Sequence, residues 1–112
     1  MLQIAGVVQE VGSNVTSFKI GDKVGVGCFV QSCKDCYLCE ENCENLCDGS
    51  SQTYGSTYPK GIDHDECAGN HTNGGYTSQI VVDSHFVCPI PDGMKLEHAG
   101  PLVSRTYFLL YF

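Results

Sequence analysis

Four cysteines stand close together near the middle of this chain: Cys33, Cys36, Cys39 and Cys47. Two residues separate the first from the second, two the second from the third, and seven the third from the fourth. Sulfurs at this spacing can face one point, and the longer last interval lets the chain turn back and complete a tetrahedron. Four thiolates are the shell of a structural zinc site, which keeps no position open for a substrate. The spacing therefore predicts a zinc-organised lobe over residues 31–48, with any chemistry elsewhere.

Disulfide bonds are the first alternative, because eight cysteines in 112 residues also suit a secreted scaffold. However, residues 1–12 carry no lysine or arginine ahead of an apolar run, and their spacing is that of a strand rather than a signal peptide. No apolar run approaches the length of a membrane span. These features favour a cytoplasmic, reducing location, in which closely spaced cysteines usually bind metal.

The second alternative replaces the last ligand with Cys43. The first three cysteines of the cluster, taken with Cys43, have the spacing of a bacterial ferredoxin run, and Cys88-Pro89 resembles the distant Cys-Pro that completes such a site. The chain would then be an electron-transfer protein with a single iron–sulfur cluster. Against this, Glu44 rather than proline follows Cys43.

The charge balance argues against nucleic acid as a partner. Thirteen acidic residues face six basic ones, for a net charge of −7, whereas phosphate binding needs clustered lysine and arginine. Four acids lie in or beside the cysteine cluster: Asp35, Glu40, Glu41 and Glu44. We interpret them as a solvated face. The length suits one domain with a modest core, and the sequence indicates no oligomeric state.

The elements that must position the cluster are short strands. Apolar stretches bounded by turn residues predict strands at residues 4–11, 23–26, 76–82 and 85–90. Residues 52–73, rich in small polar residues, predict a long loop, and residues 95–99 predict the start of a helix. We expect the ring of Tyr76 to pack on the strands. Short strands separated by glycine-rich turns are typical of a small, partly open β-barrel.

Two glycine motifs do not predict a nucleotide site. Gly-Val-Gly at residues 25–27 lacks the third glycine and the helix of a dinucleotide fingerprint. Gly-Asp-Lys at residues 21–23 lacks the spacing of a phosphate loop. We therefore assign no cofactor-binding residue.

Taken together, the glycine motifs and the cysteine cluster follow an order typical of one enzyme family. The series runs through Gly6, Gly12 and Val15, Gly-Asp-Lys-Val at 21–24, Gly-Val-Gly-Cys at 25–28, the cluster ending in Glu-Asn-Leu-Cys at 44–47, and Gly-Gly-Tyr at 74–76. In this order the chain resembles the cinnamyl alcohol dehydrogenase branch of the zinc-dependent medium-chain alcohol dehydrogenases, over residues 2–103. A single glycine motif is weak evidence, but the ordered set is specific.

The resemblance implies a mainly β fold: a partial GroES-like barrel at residues 1–104 carrying the structural-zinc lobe, then a divergent apolar tail at residues 105–112, with the Rossmann domain absent. The full-length family interconverts primary alcohols and aldehydes with NADP. One zinc is catalytic and polarises the substrate oxygen as a Lewis acid. The other is structural, and its four cysteine ligands match the four cysteines of the cluster.

The chain departs from the family at the catalytic ligands. The first ligand would precede Met1, Leu2-Gln3 stands where the family has His-Glu, and Ser104 stands where it has a cysteine. Leucine has no lone pair, and a neutral hydroxyl is a poor substitute for a thiolate. We therefore expect no catalytic residue and no activity from this fragment alone. A non-catalytic interaction protein derived from a dehydrogenase stays open as a third class.

The remaining cysteines and the histidines receive no metal or catalytic role. We interpret three cysteines as small apolar fillers or free thiols: Cys28, Cys67 and Cys88. None of the four histidines is assigned a catalytic role: His64, His71, His85 and His98. We expect His64 in a solvated loop and His85 at the surface or half-buried.

Overall fold

A computed structural model describes residues 4–58 and 69–109 of the chain, with side chains as far as residue 103. Its strands are β1 (Ile4–Val7), β2 (Lys23–Val26), β3 (Phe29–Gln31), β4 (Ser51–Gln52), β5 (Tyr54–Thr57), β6 (His71–Asn73) and β7 (Val87–Pro89). Its helices are α1 (Tyr37–Glu40) and α2 (Leu96–Leu109), with 3₁₀ turns at Glu44–Leu46 and Ser84–Phe86. Within this described part of the chain, no helix is both long enough and apolar enough to span a membrane. The fold is mostly β, as the sequence predicts.

The largest sheet is antiparallel, with β2 between β1 and β7. Val26 on β2 pairs with Ile4 on β1 and with Val87 on β7. Branched apolar side chains in such cross-strand positions pack well on a pleated surface. Val26 is buried as a result, at 3% exposure.

Helix α2 crosses the sheet at Gly25. A Cβ built at this glycine would lie 2.4 Å from Cγ2 of Val103, so only a residue without a side chain lets the helix approach β2 this closely. Ala99, one helical turn earlier, is buried at 1% exposure. The close contact of helix and sheet is therefore built on one small residue from each element.

Two smaller sheets are present, and the first of them, β3 with β4, carries the chain into and out of the cysteine lobe. β3 pairs with β4, and β5 pairs with β6. Thr53, which is fully buried, joins them to the end of β2: its hydroxyl donates to the carbonyl of Gly27 (2.6 Å) and its N–H to the carbonyl of Cys28 (2.8 Å). Thr53 lies between β4 and β5, and a buried hydroxyl satisfied in this way fixes the position of that junction.

Several predicted elements are confirmed. β2 has the predicted bounds, and the helix predicted from residue 95 is present and continues to Leu109. The first strand is shorter than predicted, although its ladder continues as far as the N–H of Val8, which donates to the carbonyl of Asp22. The predicted strand at residues 85–90 begins instead with a 3₁₀ turn and is reduced to β7.

Two predictions are wrong. Residues 76–82 form no strand, because no backbone ladder joins Ile80, Val81 or Val82 to another described segment, and strand propensity has effect only on a paired, packed surface. Tyr76 is 81% exposed and does not pack on the strands. The predicted loop at residues 52–73 contains β5 and β6, while its residues 59–68 lie outside the described part.

The contact at Gly25 yields a stability prediction. Gly25→Ala should lower the free energy of unfolding by about 1–3 kcal/mol, because the new methyl group overlaps Val103. Val103→Ala opens the same space, so the double variant should be less destabilised than the sum of the single changes. Urea unfolding followed by circular dichroism measures both effects. Gly27→Ala is the matched control, since nothing lies within 4 Å of its Cβ, and a loss there equal to that at Gly25 would contradict the prediction.

Candidate metal centre

The four cysteine sulfurs of the cluster converge on one point, all within 4.8 Å of one another. The Sγ atom of Cys47 lies 3.4 Å from that of Cys33 and 3.6 Å from that of Cys36. The Sγ atom of Cys39 lies 3.6 Å from that of Cys36 and 3.8 Å from that of Cys33. A tetrahedron with metal–sulfur bonds of about 2.3 Å has edges of about 3.8 Å. The cluster therefore has the dimensions to hold a single metal ion.

The first two sulfur pairs are arranged by a turn and a short helix. Between Cys33 and Cys36 the chain passes through Lys34, whose φ of 60° is left-handed and uncommon for a residue with a side chain. The carbonyl of Cys36 then accepts hydrogen bonds from the N–H groups of Cys39 (2.9 Å) and Glu40 (3.1 Å). This single helical turn places the second and third sulfurs on one side of the backbone.

The last sulfur arrives through a second reversal of the chain. The 3₁₀ turn at Glu44–Leu46 ends at Cys47, whose N–H donates to the carbonyl of Glu44 (3.1 Å). Cys47 is buried at 4% exposure, whereas Cys33, the first cysteine of the cluster in the sequence, is exposed. Gly49 keeps this reversal tight, because a Cβ there would lie 2.9 Å from the Cβ of Cys33.

Cys43 does not belong to the cluster. Its Sγ lies 3.6 Å from the carbonyl oxygen of Glu41, whereas the group of converging sulfurs includes Cys47. The spacing typical of a ferredoxin therefore does not correspond to the spatial arrangement, and the iron–sulfur alternative is not favoured. The seven described cysteines are all free thiols.

The thiols perturb one another's ionisation. The backbone N–H of Asp35, followed by the thiols of Cys47 and Cys36, lowers the pKa of Cys33 to about 6. At Cys36 the N–H of Cys39 favours the thiolate, but the neighbouring sulfurs outweigh it and raise the pKa to about 12. Negative charges this close repel strongly. Without a cation, one thiol of the cluster therefore ionises readily, and its charge disfavours the ionisation of a second thiol. A divalent cation removes this penalty.

Two polar contacts join the cluster's lobe to the segment before β7. The Nζ of Lys34 forms an ion pair with Oδ2 of Asp83, and Nε2 of His85 donates to Oε1 of Glu44 at 2.6 Å. The predicted surface or half-buried position of His85 is confirmed, since its side chain is exposed. Its contact with Glu44 is not predicted, because 41 residues separate the two and no local pattern links them.

The other residues considered in the sequence analysis lie away from the centre. Cys28 and Cys88 are exposed free thiols rather than apolar fillers. His71 is exposed on β6, and the Nε2 atom of His98 lies 3.8 Å from a carboxylate oxygen of Glu97. Four positions fall outside the described residues: Leu2, Gln3, His64 and Cys67, as does the side chain of Ser104.

Comparison with known proteins places the chain among dehydrogenases. The family profile of the alcohol dehydrogenase GroES-like domain matches residues 2–92. Over 101 residues, 90% of this chain, it is 50% identical to NADP-dependent alcohol dehydrogenase C 1 of Mycolicibacterium smegmatis and to a probable mannitol dehydrogenase of Mesembryanthemum crystallinum. The aligned region is 27% and 26% of those proteins, so the chain spans about a quarter of their length.

Solved structures agree with this relationship. The CAD from Helicobacter pylori, complexed with NADP(H), superposes with a TM-score of 0.77 at 41% identity, over 91% of this chain and 28% of that one. A cinnamyl alcohol dehydrogenase from Sorghum bicolor superposes with a TM-score of 0.74 at 40% identity, over 88% of this chain and 26% of the other. The similarity therefore covers the fold as well as the sequence.

The perturbed thiols yield a labelling prediction. In the metal-free chain at pH 7.5, iodoacetamide should label Cys33 faster than Cys36, because a pKa of about 6 leaves Cys33 as thiolate and a pKa of about 12 leaves Cys36 protonated. Lowering the pH to 5 should slow the labelling of Cys33 about 10-fold as its thiolate is protonated. Peptide mass spectrometry gives the rates, with exposed Cys88 as the reference thiol. Equal rates at Cys33 and Cys36 would contradict the prediction.

Proposed function

Because this chain belongs to the alcohol dehydrogenase GroES-like domain family, we propose that it is a portion of a zinc-dependent enzyme that interconverts primary alcohols and aldehydes with NADP. The observation that carries the proposal is the family match over residues 2–92, supported by 50% identity to an NADP-dependent alcohol dehydrogenase. Relatives named as cinnamyl alcohol dehydrogenases support a substrate of the cinnamyl type. A cytoplasmic location accords with the free thiols of the described cysteines.

The contribution of this chain to such an enzyme is a structural zinc centre at the four-cysteine cluster. Four of the six sulfur–sulfur distances are 3.4 to 3.8 Å and all six are within 4.8 Å, which supports the binding of one small divalent ion. Thiolates are preferred ligands of zinc, and four of them complete its tetrahedron. With no position left for substrate, the ion would stabilise the lobe rather than take part in the reaction.

The residues of this chain do not fit a catalytic zinc. The two positions of this chain that match the family's ligands hold Leu2 and Ser104, and Gln3 stands where the family has the glutamate of its His-Glu pair. Leucine has no donor atom, and serine offers only a neutral hydroxyl. A catalytic zinc is held by three stronger ligands from histidine, cysteine or a carboxylate. We therefore derive no catalytic step on this chain and propose that it is inactive alone.

Zinc stoichiometry tests the structural centre. The purified chain should contain one zinc per molecule by elemental mass spectrometry, and Cys47→Ser should abolish tight binding, because structural zinc in small domains contributes about 10–16 kcal/mol of apparent binding energy through its full ligand set. Cys43→Ser is the matched control and should retain the metal, since its sulfur lies outside the cluster. Loss of zinc in Cys43→Ser but not in Cys47→Ser, or visible absorbance from bound iron, would contradict the assignment.

Activity tests the remaining part of the proposal. The 112-residue chain loaded with zinc should not oxidise NADPH in the presence of cinnamaldehyde, because it lacks both a catalytic zinc site and a glycine fingerprint to hold the nicotinamide. The cinnamyl alcohol dehydrogenase from Sorghum bicolor is the positive control for the spectrophotometric assay. Turnover by the isolated chain that a chelator abolishes would overturn the proposed inactivity.

A further inference from the structure

A short segment outside the cysteine lobe touches the lobe on two sides. This segment, Asp83 followed by the 3₁₀ turn Ser84–Phe86, is called here the 83–86 turn. We propose that Asp83 and His85 are positioning residues for the metal centre: they hold the two ligand-bearing turns of the lobe in register and so raise its affinity for metal without supplying a ligand. This inference rests on the proposed structural metal site.

The first ligand-bearing turn is held through Lys34. This residue lies between Cys33 and Cys36, and its left-handed backbone is costly for a residue with a Cβ. Its ammonium group pairs with Asp83, whose side chain is only 18% exposed. Partial burial opposes ionisation of Asp83, but the ion pair with Lys34 and the N–H of His85 hold its pKa below the usual value. The carboxylate is therefore charged at neutral pH and stabilises the turn between the first two ligands.

The second ligand-bearing turn is held through Glu44. This residue begins the 3₁₀ turn that ends at Cys47, the buried ligand, and its carbonyl accepts the Cys47 N–H. Its carboxylate accepts the hydrogen bond from His85, and the Glu44 side chain is only 16% exposed. A partly buried, charge-assisted hydrogen bond restricts both partners more than a solvated one. His85 therefore restricts the turn that delivers the last sulfur.

The 83–86 turn is itself well anchored, so it can act as a template. The N–H of Asp83 donates to the carbonyl of Val30 on β3 (3.1 Å), and Val30 is buried at 1% exposure. The Oδ1 atom of Asp83 caps the turn by accepting the N–H of His85 (3.0 Å), and the N–H of Phe86 donates to the carbonyl of Asp83 (2.9 Å). The two contact residues consequently have one fixed separation, tied to the strand that leads into the lobe.

The lobe contributes residues of opposite charge to the two contacts. The lobe supplies the cation Lys34 in one contact and the anion Glu44 in the other, while the turn supplies Asp83 and His85. A lobe docked in the exchanged orientation would place Glu44 against Asp83, which like-charge repulsion disfavours. Because the thiolates also repel one another before metal binds, a template that pre-orders both turns reduces the cost of assembling the site.

A charge exchange between Lys34 and Asp83 tests the first contact. In competition with a chromophoric zinc chelator, Asp83→Lys in the full chain should weaken zinc binding about 10-fold, within the range found for outer residues of metal sites. Adding Lys34→Glu restores opposite charges and should recover affinity to within about 3-fold of the original chain. Both variants lack the aspartate cap at His85, so the recovery reports the ion pair alone. Asp92→Lys, the same change at an exposed residue, is the control and should leave affinity unchanged.

A conservative replacement of His85 tests the second contact independently. His85→Leu removes the donor to Glu44 and should weaken zinc binding about 5-fold, whereas His85→Gln keeps an N–H donor and should retain most of the affinity. Metal-free melting temperatures of all variants, measured beside the affinities, separate an effect on the site from a general loss of fold. Equal zinc affinity across the variants would overturn the inference and leave the proposed centre intact. An original chain that binds no zinc would overturn both.

Discussion

The arrangement of the cysteine lobe depends on one electrostatic constraint, the repulsion among four sulfurs that lie within 4.8 Å of one another. The N–H of Asp35 and the neighbouring thiols lower the pKa of Cys33 to about 6, whereas at Cys36 the neighbouring sulfurs outweigh the N–H of Cys39 and raise the pKa to about 12. A cation converts this repulsion into attraction. Among the described residues 33–48, Cys47 is the only buried apolar residue, and α1 has only four residues. A helix this short is not stable by itself, so the lobe relies on its sulfurs instead of a hydrophobic core.

The strands and helix α2 provide the packed framework to which the lobe is attached. β3 leads into the lobe and β4 leads away from it, and the buried Thr53 ties the return to the end of β2. Helix α2 covers β2 at Gly25, which gives this small domain part of its limited core. The two contacts from the 83–86 turn then connect lobe and strands at a third place. A metal ion held by all four sulfurs, as proposed, would leave no ligand position open and would act by stabilising the lobe.

Short-range features of the fold were accessible from the sequence, whereas long-range pairing was not. The valines of β2 and the start of α2 follow from local pattern and propensity, and both were predicted correctly. Residues 80–82 have equally strong strand propensity but form no strand, since no described segment offers them a backbone ladder. Conversely, residues 54–57 and 71–73 have small, polar sequences that predict a loop, yet they form β5 and β6 by pairing with each other. Strand formation depends on a partner, and the partner is not encoded locally.

The sequence by itself determined the family and the convergence of the four sulfurs, because the cysteines lie within 15 consecutive residues and their spacing limits the possible geometries of the chain. Only the tertiary structure decided that the sulfur of Cys43 lies beside the carbonyl of Glu41, outside the cluster. It alone also brought His85 to Glu44 across 41 residues. When few residues separate two side chains along the sequence, the backbone restricts where those side chains can lie. Contacts between distant segments depend instead on how the strands and turns pack, which no local pattern specifies.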